Sequence, residues 1–189
     1  MPAPSQVIVK LRNTRNGYGL IAKLLHWSVA ILIVGLIALG WYMVDLTYFD
    51  KWYNESLAIH KGFGMFALAL GAFFAGWRFV SPSPEHQVEL KTWEGAAATV
   101  MHHVLYAMML LIPVTGYLIS TSAGKPIDIF GWFEIPPVID VDKNLRDLAI
   151  ELHYYLGYGT GALICLHAGA ALKHQFIDRH DTLARMIWR

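Results

Sequence analysis

The stretch ELHYYLGYGTGALICLHAGAAL, residues 151–172, decides how the rest of the chain is read, because it is largely apolar, compatible with a helix, and carries His153 and His167. The two histidines stand fourteen positions apart. In a helix that spacing returns to within about 40° of the starting face and climbs about 21 Å along the axis. One helix therefore offers two imidazoles to one side, one near each end. An ionisable group in an apolar span is costly and marks function by default. Two on one stripe ask for a common explanation, and two stacked metal cofactors supply it.

Working outward, the composition says what surrounds that helix. Of 189 residues, 56% are hydrophobic and only 15% charged, outside the balance of soluble domains and in keeping with a polytopic membrane protein. The formal charge of +1 gives no reason to expect nucleic acid, whose binding is built on neutralised phosphates. The single cysteine, Cys165, excludes an intramolecular disulfide, and no C-x-x-C-H sequence for covalent haem attachment occurs.

Four apolar runs are long enough to cross about 30 Å of hydrocarbon as helices: 18–44, 57–80, 96–120 and 148–172. The competing reading of the first as a cleavable signal peptide, with Ala38-Leu39-Gly40 as the processing site, is the weaker one because the run exceeds the usual apolar core of such signals. Ser81-Pro82-Ser83-Pro84 breaks the second run, and Pro113 predicts a kink in the third. Residues 1–17 read as a short basic soluble tail, and residues 173–189 as an amphipathic basic one. The transmembrane bundle is thus expected over 18–172.

Lysine and arginine placement orients the bundle. Lys10, Arg12, Arg15, Lys23, Arg78, Lys91, Lys173, Arg179, Arg185 and Arg189 fall on one side, against Lys51, Lys61, Lys125, Lys143 and Arg146 on the other. The positive-inside rule puts both termini in the cytoplasm. Histidine depths follow. His26 and His167 share the cytoplasmic level; His60 and His153 share the external one. Two imidazoles facing each other from different helices are what a bis-histidine b-type haem requires, and the chain supplies that arrangement twice.

Taken singly, a histidine near a helix end is more often interfacial or hydrogen-bonded than a ligand; four matched in pairs are harder to dismiss. His102 and His103 lie at the cytoplasmic depth too, so either is an alternative to His26, or a partner for a quinone or a haem propionate. His86, His174 and His180 read as solvated. A zinc site built from the four span histidines is disfavoured, since its ligands must cluster and these pairs stand about 21 Å apart. Gly62, Gly64, Gly157, Gly159 and Gly161 would let a flat macrocycle approach the backbone, although Gly157 and Gly161 equally suit ordinary helix packing. Lys61 and Arg78 are candidates to pair with haem propionates, or to snorkel to headgroups.

The segments KLLHW, LAIHKGFG, HHVLYAMMLLIPVTGYLIS, HYYLGYGTGALICLH and ALKHQFIDRHDTLARM resemble the bacterial cytochrome b561 family, whose four-helix core is also similar to the cytochrome b subunits of hydrogenases and formate dehydrogenases. The resemblance implies an all-α membrane protein, a four-transmembrane-helix bundle of the cell inner membrane. It implies two non-covalent haem b groups with His26, His60, His153 and His167 as iron ligands, and electron exchange with ubiquinone or menaquinone. Expected partners are membrane lipid, quinone and a second donor or acceptor, a periplasmic soluble protein or superoxide among them; a homodimer is left open. A quinone-linked oxidoreductase or electron carrier is the first reading. The alternative is a membrane anchor, the cytochrome b subunit of a larger respiratory oxidoreductase.

The loop 122–137, rich in aromatics and turn formers, is expected to roof the His60/His153 level. Phe130, Trp132 and Phe133 would line a slot for a quinone ring, with Lys125 and Lys61 drawing in a carbonyl oxygen or a small anion. The alternative is that these aromatics anchor the loop among headgroups.

Overall fold

The computed structural model describes residues 10–84 and 91–187. His86 and residues 1–9 of the expected N-terminal tail lie outside that set. Four long helices dominate: α1 (Leu20–Val44), α2 (Tyr53–Val80), α3 (Thr92–Thr121) and α4 (Lys143–Leu172), followed by a π-helical turn over Lys173–Ile177 and a short α5 (Thr182–Ile187). α1 packs on α2, α2 on α3 and α3 on α4, whereas α1 and α4 meet at few points. The bundle therefore stays open along one seam.

α1, α2 and α3 are long and apolar enough to cross a membrane. α4 is as long as α3 but falls outside that group, so among the described residues three of the four expected spans meet the requirement. The physical reason is the polar content of the apolar part of α4, where residues 152–172 carry no charge but include His153, Tyr154, Tyr155, Tyr158, His167 and four glycines; its start is also earlier than expected. Asp142 caps the helix, its Oδ1 accepting from the Leu145 amide at 2.7 Å, so α4 starts well before residue 148 and takes in Arg146, Asp147 and Glu151. The cap signal stood in the sequence, ahead of the apolar run that set the expected boundary.

α1 begins without a side-chain cap. Its first two amides instead donate to the carbonyls of Lys10 and Leu11, at 2.9 and 3.4 Å. This backbone capping needs close approach: a Cβ on Gly19 would lie 2.4 Å from the Leu11 oxygen. Asn13 then ties the segment to the end of α2. Its Nδ2 donates to the carbonyls of Ser81 and Pro82, both at 3.1 Å, and its Oδ1 accepts from the Gly19 amide at 2.8 Å. Residues 10–17, the described part of the expected soluble tail, thus form a folded strap.

The chain is mostly helical, as expected, with one small element that the expectation did not include. Between α3 and α4 stands a hairpin of β1 (Ile127–Ile129) and β2 (Phe133–Ile135), antiparallel with Ile127 opposite Ile135 and Ile129 opposite Phe133. Phe130 and Gly131 at its tip both have positive φ, 54° and 73°, the backbone of a tight hairpin turn whose twist suits the strands. Glycine adopts it freely; phenylalanine is strained there. What offsets the strain is packing. The Phe130 ring lies so close to Gly62 of α2 that a Cβ there would come within 2.5 Å of Cζ, and it meets the rings of Phe63 and Phe66 at 5.1 and 6.3 Å. Gly62 thus receives a side chain of the hairpin, the neighbour that its lack of a Cβ accommodates in this fold.

Ile127 and Ile129 bury against Tyr117 of α3, with Met65, Leu118 and Ile135 around them. Each buried aliphatic side chain contributes about 1.5–3 kcal/mol. The Tyr117 hydroxyl donates to the Pro136 carbonyl at 2.9 Å and accepts from the Val138 amide at 2.8 Å, latching the hairpin to α3. By contrast the long helices expose large apolar side chains outward, Ile31, Phe73 and Leu111 among them, as lipid-facing surfaces do.

Candidate functional site

His60 on α2 and His153 on α4 face each other near the hairpin end, with ring centroids 6.0 Å apart. His26 on α1 and His167 on α4 face each other near the end that carries the chain termini, at 6.3 Å. Each pair draws one member from α4, because the fourteen-residue spacing returns to one face. His102 on α3 also reaches His167, at 5.4 Å and nearly edge-on. The four expected residues are thus brought together in two pairs, with His102 as a third ring at the second level.

His153 is held by its back nitrogen. Nδ1 lies 3.0 Å from the Ile112 carbonyl oxygen and 3.0 Å from Thr115 Oγ. A carbonyl only accepts, so Nδ1 carries the proton and Nε2 is left as a bare lone pair, the form in which imidazole binds a metal. Thr115, itself buried, donates to the same carbonyl at 2.7 Å. Glycine makes room beside the ring: a Cβ on Gly116 would stand 3.1 Å from His153 Cε1. Across from it, Gly40 of α1 plays the same part for His60 at 3.4 Å. His60 Nδ1 is buried with no hydrogen-bond partner.

These observations fit a haem held between two imidazoles. Two metal–nitrogen bonds of about 2 Å, with the two ring radii added, set centroids about 6 Å apart. The seam between α1 and α4 is open, and Gly64, Gly157 and Gly159 face empty space. Gly161 does not, since a Cβ there would touch Trp41 of α1 at 3.0 Å; it serves helix packing.

Among the other expected residues, Arg78 donates to the Ser83 hydroxyl and lies near enough to His102 and Tyr106 for its charge to act on both. Lys61 follows His60 and is half-buried. His103 is turned to its own helix, with Nδ1 2.7 Å from the Thr99 carbonyl. Phe130 and Trp132 line an apolar groove of about 710 Å³ together with Ser28, Ile31, Leu32, Phe63, Phe66 and Leu70. Phe133 is not part of that lining; it pairs with Ile129 in the hairpin. His174 and His180, expected to be solvated, are instead half-buried and stacked on each other. Sequence reading missed Thr115 and the Ile112 carbonyl. The one available signal was Pro113 between them, which marks irregular hydrogen bonding in α3.

An apolar helical bundle that presents opposed, glycine-flanked imidazole pairs is the architecture of a membrane b-type cytochrome. The sequence profile of the prokaryotic cytochrome b561 family matches residues 17–189, and the chain belongs to that family. It is 39% identical to cytochrome b561 homolog 2 of Escherichia coli (strain K12) over 175 residues, 93% of each chain. It is 33% identical to cytochrome b561 homolog 1 of the same organism over 97 residues, 51% of this chain and 54% of that one. A probable superoxide oxidase CybB of Yersinia pestis is 24% identical over 168 residues, 86% of this chain and 91% of that one. Membership of the family implies haem b and electron transfer in a membrane.

Proposed function

We propose that the chain binds two b haems, one ligated by His60 and His153 and the other by His26 and His167, and that it passes electrons between the quinone pool and a second donor or acceptor. The observation that carries this is the pair of matched separations, 6.0 and 6.3 Å, at the two ends of α4. His26 is favoured over His102 because its distance to His167 matches the other pair and admits a metal between the rings, whereas 5.4 Å is short for that. On this reading α4 is a fourth span, and both termini are cytoplasmic by charge placement.

Bound haem iron supplies one-electron oxidation and reduction. The residues do the rest. The Ile112 carbonyl and Thr115 hold the His153 proton on Nδ1 and keep Nε2 facing inward. Gly40 and Gly116 leave the two rings room to face one another. Arg78 on α2 and Lys61 beside His60 place positive charge where propionates are expected at each level. The apolar groove under Phe130 and Trp132 suits a quinone ring entering from lipid.

The name of the Yersinia pestis relative favours superoxide as the external electron donor. In that case two superoxide anions give up one electron each and leave as dioxygen, while one quinone takes up both electrons and two protons. The second reading is a cytochrome subunit whose redox partner is another chain. Haem-to-protein stoichiometry and a redox titration of the purified protein test the core of the proposal, with two bis-histidine haems per chain expected. Reduction by superoxide, set beside copurification of a partner in mild detergent, separates the two readings.

A further inference from the structure

Beyond the span histidines, the segment after α4 assembles a different set of donors. The π-helical turn Lys173–Ile177 widens the end of the helix, and such turns recur at functional sites. Arg179 then takes a left-handed conformation, φ 58°, and the His180 amide donates back to the His174 carbonyl at 2.7 Å. The chain is folded so that the two imidazoles stack, with centroids 6.0 Å apart and planes 7° from parallel. Asp178 lies beside them, its Oδ2 accepting from His174 Nδ1 at 2.7 Å. One donor atom from each of His174, Asp178 and His180 falls within 4.8 Å of the others. His180 Nδ1 is buried and without a hydrogen-bond partner. A strained backbone that gathers two imidazoles and a carboxylate, and leaves one nitrogen unused, has a use for a ligand that shares all three.

We propose that His174, Asp178 and His180 form a binding site for one divalent transition-metal cation of the zinc type, with water completing its coordination. Two imidazoles and one carboxylate suit zinc and its neighbours in the first transition row, whereas calcium and magnesium prefer all-oxygen sets. Lys173 is the resident competitor. Its ammonium bridges Asp178 at 2.7 Å and Glu94 of α3 at 3.0 Å. An entering cation takes the Asp178 oxygen and leaves Lys173 to Glu94. The site also adjoins α5, because Gln175 Oε1 accepts from the amides of Leu183 and Ala184 at 3.1 and 3.0 Å. From there the Met186 carbonyl accepts from Trp27 Nε1 at 3.0 Å, one residue from His26. Occupancy is therefore expected to tighten α5.

The test uses the untagged, haem-loaded full chain in detergent, titrated with zinc chloride against a chromophoric chelator and followed by metal counting. One zinc per chain beyond haem iron is expected, with slower hydrogen exchange over residues 182–187. His180→Gln and Asp178→Asn should each weaken binding about tenfold or more, while His103→Gln changes nothing. Lys173→Met, which removes the competitor, should tighten binding at least threefold. Haem absorbance per protein reports that each variant is folded. The proposal is overturned if the folded chain holds no stoichiometric zinc, if the ligand variants bind within twofold of it, or if Lys173→Met leaves the affinity unchanged.

Discussion

His153 Nδ1 stands 3.0 Å from the carbonyl oxygen of Ile112, the residue just before the proline of α3. That bond fixes which ring nitrogen faces the bundle, and Thr115 shares it from the side. Replacing Thr115 with valine keeps the volume but removes an acceptor from the imidazole. A less basic imidazole stabilises reduced iron, so the midpoint potential of one haem should rise, on the order of tens of millivolts. Potentiometric titration of the variant checks this. On the proposed ligation the other haem should keep its potential, because Thr115 hydrogen-bonds to the His60/His153 pair.

Substitution of single histidines should separate the two sites. His60→Ala or His153→Ala is expected to halve haem content by removing one spectral component, and His26→Ala or His167→Ala to remove the other. Pyridine haemochrome assay with low-temperature spectra reads both. A His102→Ala variant should retain two haems; loss of the component that His167→Ala also removes would move that ligand to α3.

The Phe130 ring over Gly62 is a packing contact without slack. Gly62→Ala places a methyl group 2.5 Å from Phe130 Cζ, and overpacking of this kind costs about 1–3 kcal/mol. A lower melting temperature is expected, partly restored when Phe130→Leu is added. If the neighbouring groove receives quinone, Trp132→Ala should slow haem oxidation by quinone several-fold, with both haem spectra unchanged. Unchanged rates alongside lower detergent stability would make the hairpin an anchor instead.

The Lys173 bridge has a defined pH window. Its hydrogen bond holds the Asp178 carboxyl below the usual range, with His174 adding to the effect. Asp178, and then Glu94, raise the Lys173 ammonium above its own. The depressed carboxyl contributes above its unfolded value of about 4 and loses that contribution as pH falls through its folded value. The raised ammonium contributes below about 10 and loses that as pH rises through its folded value. Protection of the α5 amides from hydrogen exchange, with the intrinsic pH dependence of the rate divided out, should therefore be high and flat at neutral pH. It should fall at the acid edge, and Lys173→Met should shrink that acid transition to the part that His174 supports.

How much of this was legible in the linear chain follows from the range of the forces involved. Helical periodicity is local, so the spacing of His153 and His167 placed both on one face of α4, and their depths paired them with His60 and His26 before any packing was known. Apolar run length likewise located the long helices, because burial in hydrocarbon demands it. Three features needed the tertiary structure. The hairpin is one, since three-residue strands carry too little pattern to be read and form only because Ile127 and Ile129 find Tyr117. The partner of Gly62 is another: a missing Cβ announces close approach but not by what. The third is the stacking of His174 on His180, produced by a π turn and a left-handed Arg179 that no residue preference announces. Spacing along one helix was enough to nominate ligands. What touches them from behind, and what fills the space beside them, depends on contacts between residues far apart in sequence, and only folding brings those together.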